Sequence, residues 1–362
     1  MKRRMKKFKK PRIKKNRFQQ ESNSQESIIG FFSRSILMMF KSWWIRKKIK
    51  DEDINCWFCK SEPRSCSIVP VVTWLGHSSF LIQIGGVNIL TDPVLSEASY
   101  FFPRYLGPGI SAEKLPNIDF VLISHNHPDH MDSGSLMKLK AHCGTSFLVP
   151  QGDKLWFDRR SFARVREYTW WQQDSFTLKN DTSSKITFTF LPSNHWSLRG
   201  AWVFDKNRSL WGSWLIEFNG HKIYFAGDTM YDSHFKEIAQ EYPGIDVALM
   251  PIGPCEPRKW VAHSHLDADQ AVKAFIDLQA KNFVPMHWGT FPMGTELFDT
   301  PILGLKKSWR EHAHELNGKK LHMPKVGQSL GFGFQEIQDT QKFDDISDVI
   351  TPAKKSVDIL EK

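Results

Sequence analysis

Acidic residues are nearly missing from the first 50 positions, which hold only Glu21 and Glu26 against 17 Lys and Arg. The remainder of the chain carries 32 basic and 37 acidic side chains, so the formal charge of +10 belongs to a tail. A mildly acidic body argues against a basic groove for nucleic acid. No aromatic-basic recognition module accompanies the tail. Cysteine is scarce: Cys56, Cys59, Cys66, Cys143 and Cys255 are an odd set in a chain of 362 residues. A chain of that length needs no disulfides for its core, and the pattern fits a reducing, cytoplasmic compartment. Cys56 and Cys59 form a CxxC, but no second pair follows at zinc-finger spacing, which leaves free thiols in a linker as the expectation. No apolar run reaches the ~20 residues of a membrane span. No small-x-small cleavage site follows the apolar stretch near the start. No internal repeat is evident.

What is present is an ordinary globular composition, 41% hydrophobic and 24% charged. Residues 2–17 contain eleven Lys or Arg and no acid, so self-repulsion is expected to keep them disordered. Ile28 to Ile45 differs, with twelve large apolar residues interrupted by Gly30, Arg34 and Lys41 at helical spacing. Arg46, Lys47, Lys48 and Lys50 follow directly. An interfacial helix fits best, burying Phe and Trp in lipid while residues 28–50 attract anionic headgroups. A helix packed on the protein's own body is the alternative. The chain is thus expected to comprise a basic tail with this segment (1–67), one catalytic domain (68–335) and a polar tail (336–362). The expected location is a cytoplasmic membrane surface.

From Ile68 onward the texture is of short strands and helices. Val71–Trp74, Phe80–Ile84 and Val87–Thr91 predict adjacent strands, with Gly85-Gly86 as a hairpin turn. Asp119–Ser124, Ile186–Leu191, Leu210–Phe218, Lys222–Ala226, Val247–Pro251 and Phe283–Met286 predict further strands. Ser133–His142 and Asp267–Ala280 predict helices. The pattern fits sheets covered by helices.

The strongest local signal is His125-Asn126-His127-Pro128-Asp129-His130, directly after an apolar strand. A solvated loop gains nothing from three imidazoles and a carboxylate in six residues, and a core could not satisfy them. Imidazole nitrogen and carboxylate oxygen are the non-thiolate ligands that zinc prefers. His125 and His127 can aim two rings at one ion, and Asp129 and His130 can reach a second. Three more candidates each follow a strand: His195, Asp228 and His287. A strand ending in a ligand, repeated, is how open sheets build sites.

This set, HxHxDH with His195, Asp228 and His287 in order behind it, resembles the metallo-β-lactamase superfamily. Trp74-Leu75-Gly76-His77 and Thr91-Asp92-Pro93 stand where that superfamily has its opening hairpin. Pro192-Ser193-Asn194-His195-Trp196, Trp211-Gly212-Ser213-Trp214, Pro251–Arg258 and His287-Trp288-Gly289-Thr290-Phe291 narrow the resemblance, over about Val71 to Gly331, to the N-acylphosphatidylethanolamine-hydrolysing phospholipase D family. The resemblance implies an α/β fold, an αββα sandwich of two face-to-face sheets with helices outside. It implies two zinc ions, one held by His125, His127 and His195, the other by Asp129, His130 and His287, with Asp228 bridging. A hydroxide shared by the ions would attack phosphorus, giving phosphatidic acid and an N-acylethanolamine. Asp129, Asp228 and His265 are the implied catalytic side chains, and Asp92 the implied orienter of ligand imidazoles. His265, just before Asp267, also reads as a plain helix-entrance residue. A homodimer is implied as well. The chain departs from the family at Pro128, Ser133 and Ser264, all of which flank the ligands. A hydrolase of a small soluble phosphodiester or lactone is the alternative, since the fold hosts many reactions.

Overall fold

The computed structural model describes residues 10–20, 40, 41, 44, 54–96, 103–142, 144–178, 181–200 and 205–333. The expected interfacial segment, apart from Phe40, Lys41 and Trp44, lies outside the described residues, as do Cys143 and the expected tail 336–362. Among the described residues no helix is long and apolar enough to cross a membrane.

Alternation of apolar residues on both faces builds the first sheet. It contains β3 (Val71–Gly76), β4 (Ser79–Ile84), β5 (Val87–Thr91), β6 (Phe120–Leu122), β7 (Ser146–Pro150), β8 (Val165–Tyr168) and β16 (Ser329–Gly331). Phe80, Ile82, Ile89, Phe120 and Leu122 point to a central core, whereas the intervening Leu81, Leu90 and Val121 point to the opposite face. That second face is covered by α1 (Ser133–Leu139) and α2 (Lys154–Asp158), through Leu136, Leu139 and Phe157. Gly85 and Gly86, at φ 61° and 77°, make the expected tight turn between β4 and β5.

The second sheet holds β9 (Gln172–Thr177), β10 (Lys185–Leu191), β11 (Ser213–Phe218), β12 (His221–Phe225), β13 (Val247–Pro251), β14 (Asn282–Met286) and β15 (Lys320–Leu321). Its outer face carries α3 (His234–Glu241), α4 (Arg258–Val261), α5 (Ala268–Leu278) and α6 (Thr300–Glu311). Phe188, Phe190 and Trp214 join the central core from this side, and ring contacts such as Phe120–Phe188 (4.8 Å) and Tyr168–Trp214 (5.0 Å) link the two sheets. The layers are helices, sheet, sheet, helices, which is the expected sandwich.

The spatial orders are β16–β3–β4–β5–β6–β7–β8 and β9–β10–β11–β12–β13–β14–β15. Read from β16 and from β9, each sheet shows three antiparallel pairings followed by three parallel ones. The chain therefore repeats one topology twice, although its sequence shows no repeat.

Two expectations about the N-terminal region are corrected. Charge repulsion does not keep all of the basic tail apart from the body. The ribbon β1 (Ile13–Lys14) and β2 (Arg17–Phe18) turns at Lys15-Asn16, both in the left-handed region. It is anchored by buried Phe18, whose N–H donates to Asn207 O at 2.8 Å. Burying one Phe is worth about 1.5–3 kcal/mol, enough to offset exposed like charges. The body also starts before Ile68. Ile54 is buried, Trp57 packs edge-on against Trp288 at 5.0 Å, and Cys59 N–H donates to Val326 O. Cys56 and Cys59 are exposed, and no cysteine joins a metal-binding group among the described residues.

Candidate metal centre

The strands β5, β6, β10, β12 and β14 all deliver chemistry at their C-terminal ends. β5 and β6 run parallel, β12, β13 and β14 run parallel, and β10 is brought into the same direction by two antiparallel steps through β11. The loops after them therefore meet at one rim of the sandwich.

Asp92, just past β5, organises the loop after β6. Its carboxylate accepts Ser124 N–H at 2.7 Å, Ser124 Oγ–H at 2.5 Å and His130 Nδ1–H at 2.7 Å. Ser124 Oγ in turn accepts His125 Nδ1–H at 2.9 Å. Both rings thus present Nε2 to the centre. His195, beyond β10, donates Nδ1–H to Ser264 O at 2.9 Å, which also turns Nε2 inward. Its Nε2 lies 3.2 Å from His127 Nδ1, and His125 Nε2 lies 2.8 Å from the same atom. Three nitrogens with no room for three protons share one small space.

Asp228 sits between two groups of donors. It follows β12 through Gly227, whose φ of 58° no β-branched or bulky residue tolerates well. Asp228 Oδ2 is 3.0 Å from His287 Nε2, 3.3 Å from His130 Nε2, 3.8 Å from His195 Nε2 and 4.0 Å from His125 Nε2. On one side lie His125, His127 and His195; on the other lie His77, Asp129, His130 and His287, each set with ligand atoms within 4.8 Å of one another. All seven residues singled out in the sequence come together. His265 comes too, with Nδ1 3.5 Å from Asp228 Oδ2.

His77 lies outside the seven expected ligands, in the opening hairpin, yet belongs to the site. It follows β3, and its Nε2–H donates to Asp129 Oδ2 at 3.0 Å. Its backbone is pinned as well: Thr290 Oγ1 accepts its N–H, and its carbonyl accepts Trp74 Nε1–H and His287 N–H. A His straight after a strand is the available signal, the same one that marks His287. His77, Asp92 and His287 have φ of 53°, 32° and 59°, so backbone strain collects at this rim.

Burial dominates the protonation of the imidazoles. It pulls His77 and His127 down to about 3 and His195 to about 4, and it takes His125 and His265 well below their ordinary value. These rings are neutral, the form that binds metal. His130 goes the other way: burial opposes its charge, but Asp228 and Asp129 outweigh burial and raise it well above its ordinary value. Burial likewise disfavours the Asp228 carboxylate, yet His130 and His287 keep it well below the usual range. The buried Asp228 and the half-buried Asp129 thus favour positive charge beside them, as a divalent ion would supply.

Buried donor atoms give the sharper test of fit. His130 Nε2, His287 Nε2 and Asp228 Oδ1 are buried without a hydrogen bond. Buried polar atoms left without a well-aligned partner are costly, so this arrangement calls for a ligand they can share. Imidazole and carboxylate donors converging from both sides of one carboxylate fit divalent metal. The departures from the family pattern spare this geometry. Ser264 serves His195 through its carbonyl, and Ser133 Oγ accepts Arg199 Nη2–H at 2.6 Å.

A profile of the beta-lactamase superfamily domain matches residues 87–288. An N-acyl-phosphatidylethanolamine-hydrolyzing phospholipase D of Caenorhabditis elegans is 34% identical over 235 residues, covering 62% of this chain and 65% of that protein. A mitochondrial protein of the same designation from Saccharomyces cerevisiae is 34% identical over 238 residues, covering 63% and 49%. The chain thus spans about half to two thirds of the length of these curated relatives. A metallo hydrolase from the archaeon Ignicoccus hospitalis has a similar fold, with a TM-score of 0.56, 24% identity and coverage of 74% of this chain and 100% of that one.

Proposed function

The chain belongs to the beta-lactamase superfamily as a metal-dependent hydrolase, and within that class we propose that it is a phosphodiesterase of phospholipase D type. The proposed substrate is N-acyl phosphatidylethanolamine or a related phospholipid. The observation that carries the reading is Asp228 placed between two groups of inward-facing donors. The named activity of the worm and yeast relatives supports the choice of substrate class.

The residues present fit a pair of zinc ions. His125, His127 and His195 would hold one, Asp129, His130 and His287 the other, with Asp228 between them. When bound, such ions supply Lewis acidity and nucleophile activation at neutral pH. The chain's own residues do the remaining work. Asp92 fixes the ring of His130 and, through Ser124, that of His125, so both are ordered before substrate arrives. His77 holds Asp129 by its Oδ2. His265, kept neutral chiefly by burial, has one N–H to donate to a phosphoryl oxygen. Trp196, packed on His127 at 4.3 Å, screens one side of the centre from water. In the net reaction a water oxygen forms the new bond to phosphorus, the bond to the ethanolamine oxygen breaks, and that oxygen leaves with a proton.

The test is turnover of N-acyl phosphatidylethanolamine by the full chain with mass-spectrometric detection of both products. Wild type is expected to form phosphatidic acid and N-acylethanolamine, and Asp228→Asn to form neither while keeping its circular dichroism spectrum. Equal turnover by both proteins would refute the role of Asp228. No turnover by metal-reconstituted wild type would refute the substrate.

A further inference from the structure

The N-terminal ribbon docks on the loops that carry the metal centre. Phe18 N–H donates to Asn207 O, and Arg17 donates to Lys206 O. Asn207 N–H donates to Ser197 O, two residues past His195. Lys206 Nζ lies 5.2 Å over the ring of Trp196, which itself packs on His127. From the other end of the ribbon, Gln20 Nε2–H donates to His263 O at 2.7 Å. His263 precedes Ser264, whose carbonyl orients His195, and His265, which faces Asp228. One layer of residues therefore separates the ribbon from the metal ligands.

The ribbon is also cationic along its outer side. Residues 10–20 hold Lys10, Arg12, Lys14, Lys15 and Arg17 with no acid. Lys10, Arg12, Lys14 and Lys15 are exposed, and none forms an ion pair among the described residues. Ile13, between them, is 58% exposed. Among the described residues no carboxylate pairs with these four cations around the exposed aliphatic side chain. Their complement is a surface dense in negative charge that also accepts an apolar side chain. A nucleic acid offers the charge but has no place for Ile13.

We propose that the docked ribbon of residues 10–20 is the face by which this protein meets an anionic bilayer, setting the mouth of the metal centre against the headgroups. The inference rests on the reading of the site as one that acts on phospholipid. It gives the basic N-terminal region a positional role: these charges orient the body and do more than tether it. Each cation near such a surface is worth about a fivefold change in partitioning, so three reversed charges lower it at least a hundredfold.

Hydrogen exchange of the full chain tests this, with and without vesicles of phosphatidylglycerol, vesicles of phosphatidylcholine, or an RNA duplex. The expected result is slowed exchange in residues 10–20, 196–200 and 205–207 with phosphatidylglycerol alone. Vesicle binding without protection of 10–20 overturns the proposal, as does equal protection by phosphatidylcholine or stronger protection by RNA. A variant carrying Arg12→Glu, Lys14→Glu and Lys15→Glu, checked for an unchanged thermal midpoint, is expected to lose phosphatidylglycerol partitioning at least a hundredfold. A loss below threefold overturns the proposal. Wild-type turnover of phospholipid in neutral detergent micelles separates the two readings, since failure there removes the proposed activity and says nothing against the ribbon.

Discussion

Replacing Gly227 by Ala tests how tightly the rim is built, because this glycine joins β12 to Asp228. Its φ is 58°, a region where a Cβ costs about 1–2 kcal/mol. The added atom would also lie 2.6 Å from Ser124 Cβ and 2.9 Å from Ser124 Oγ. Ser124 cannot give way freely. Its N–H and Oγ–H are both held by Asp92, and its carbonyl accepts Gly212 N–H. Overpacking at such a point costs about 1–3 kcal/mol more. The total of about 2–5 kcal/mol corresponds to a fall in Tm of roughly 4–20 °C for a domain of this size. Gly220→Ala supplies the comparison, since Gly220 also has positive φ, 83°, but nothing within 4 Å of its Cβ direction. It isolates the backbone contribution. Differential scanning calorimetry of both variants, with bound metal quantified, is the assay. Gly227→Ala is expected to be clearly the less stable of the two and to bind less metal, because Ser124 also positions His125. If the two variants melt together and bind equal metal, the claim that the rim is rigid at Ser124 is wrong.

Two further outcomes follow from the same geometry. His77→Leu removes the hydrogen bond to Asp129 and is expected to weaken metal affinity about 10–100-fold. Competition with a chromophoric chelator measures this, and wild-type affinity in the variant would show that His77 only fills space. Asp153 is buried, with Oδ1 accepting Asn126 Nδ2–H, and burial above all pushes its carboxyl up to about 7. Its folded pKa exceeds the unfolded one, so its contribution to stability is full below about 4 and is lost as pH rises through about 7. Asp153→Asn should therefore raise Tm relative to wild type at pH 8 and not at pH 4. Parallel Tm profiles for the two proteins across that range would contradict the assignment.

Several strands buried on both faces are legible as apolar runs, although the equally buried β7 (Ser146–Pro150) is not among those expected. β3, β4, β5, β13 and β14 are apolar runs bounded by Gly, Pro or Asn, and their limits were readable to within a residue or two. β9, Gln172–Thr177, was not readable: it is an edge strand of polar residues, so neither an apolar run nor a buried face marks it. The helices α3 and α6 were passed over for a related reason, since each packs only one stripe of apolar residues on the sheet. The cluster from His125 to His130 was legible because metal-binding side chains crowd into six residues with no structural use for them. His77 stands alone after its strand, and the carboxylate that gives it meaning, Asp129, lies 52 positions further on.

By itself the sequence determined the class of chemistry and the strands that bear it, because ligand type and hydrophobic period are properties of neighbouring residues. It could not determine what depends on backbone pairing between distant segments. The twofold repetition of topology is one case, since hydrogen-bond direction leaves no mark on side-chain identity. The basic ribbon is another. Local charge favoured repulsion, yet Phe18, Gln20 and their partners near Asn207 and His263 bring it to the metal centre from some 190 to 240 residues away. Only the folded chain places those loops where a single buried aromatic ring can outweigh the repulsion among exposed, solvent-screened charges.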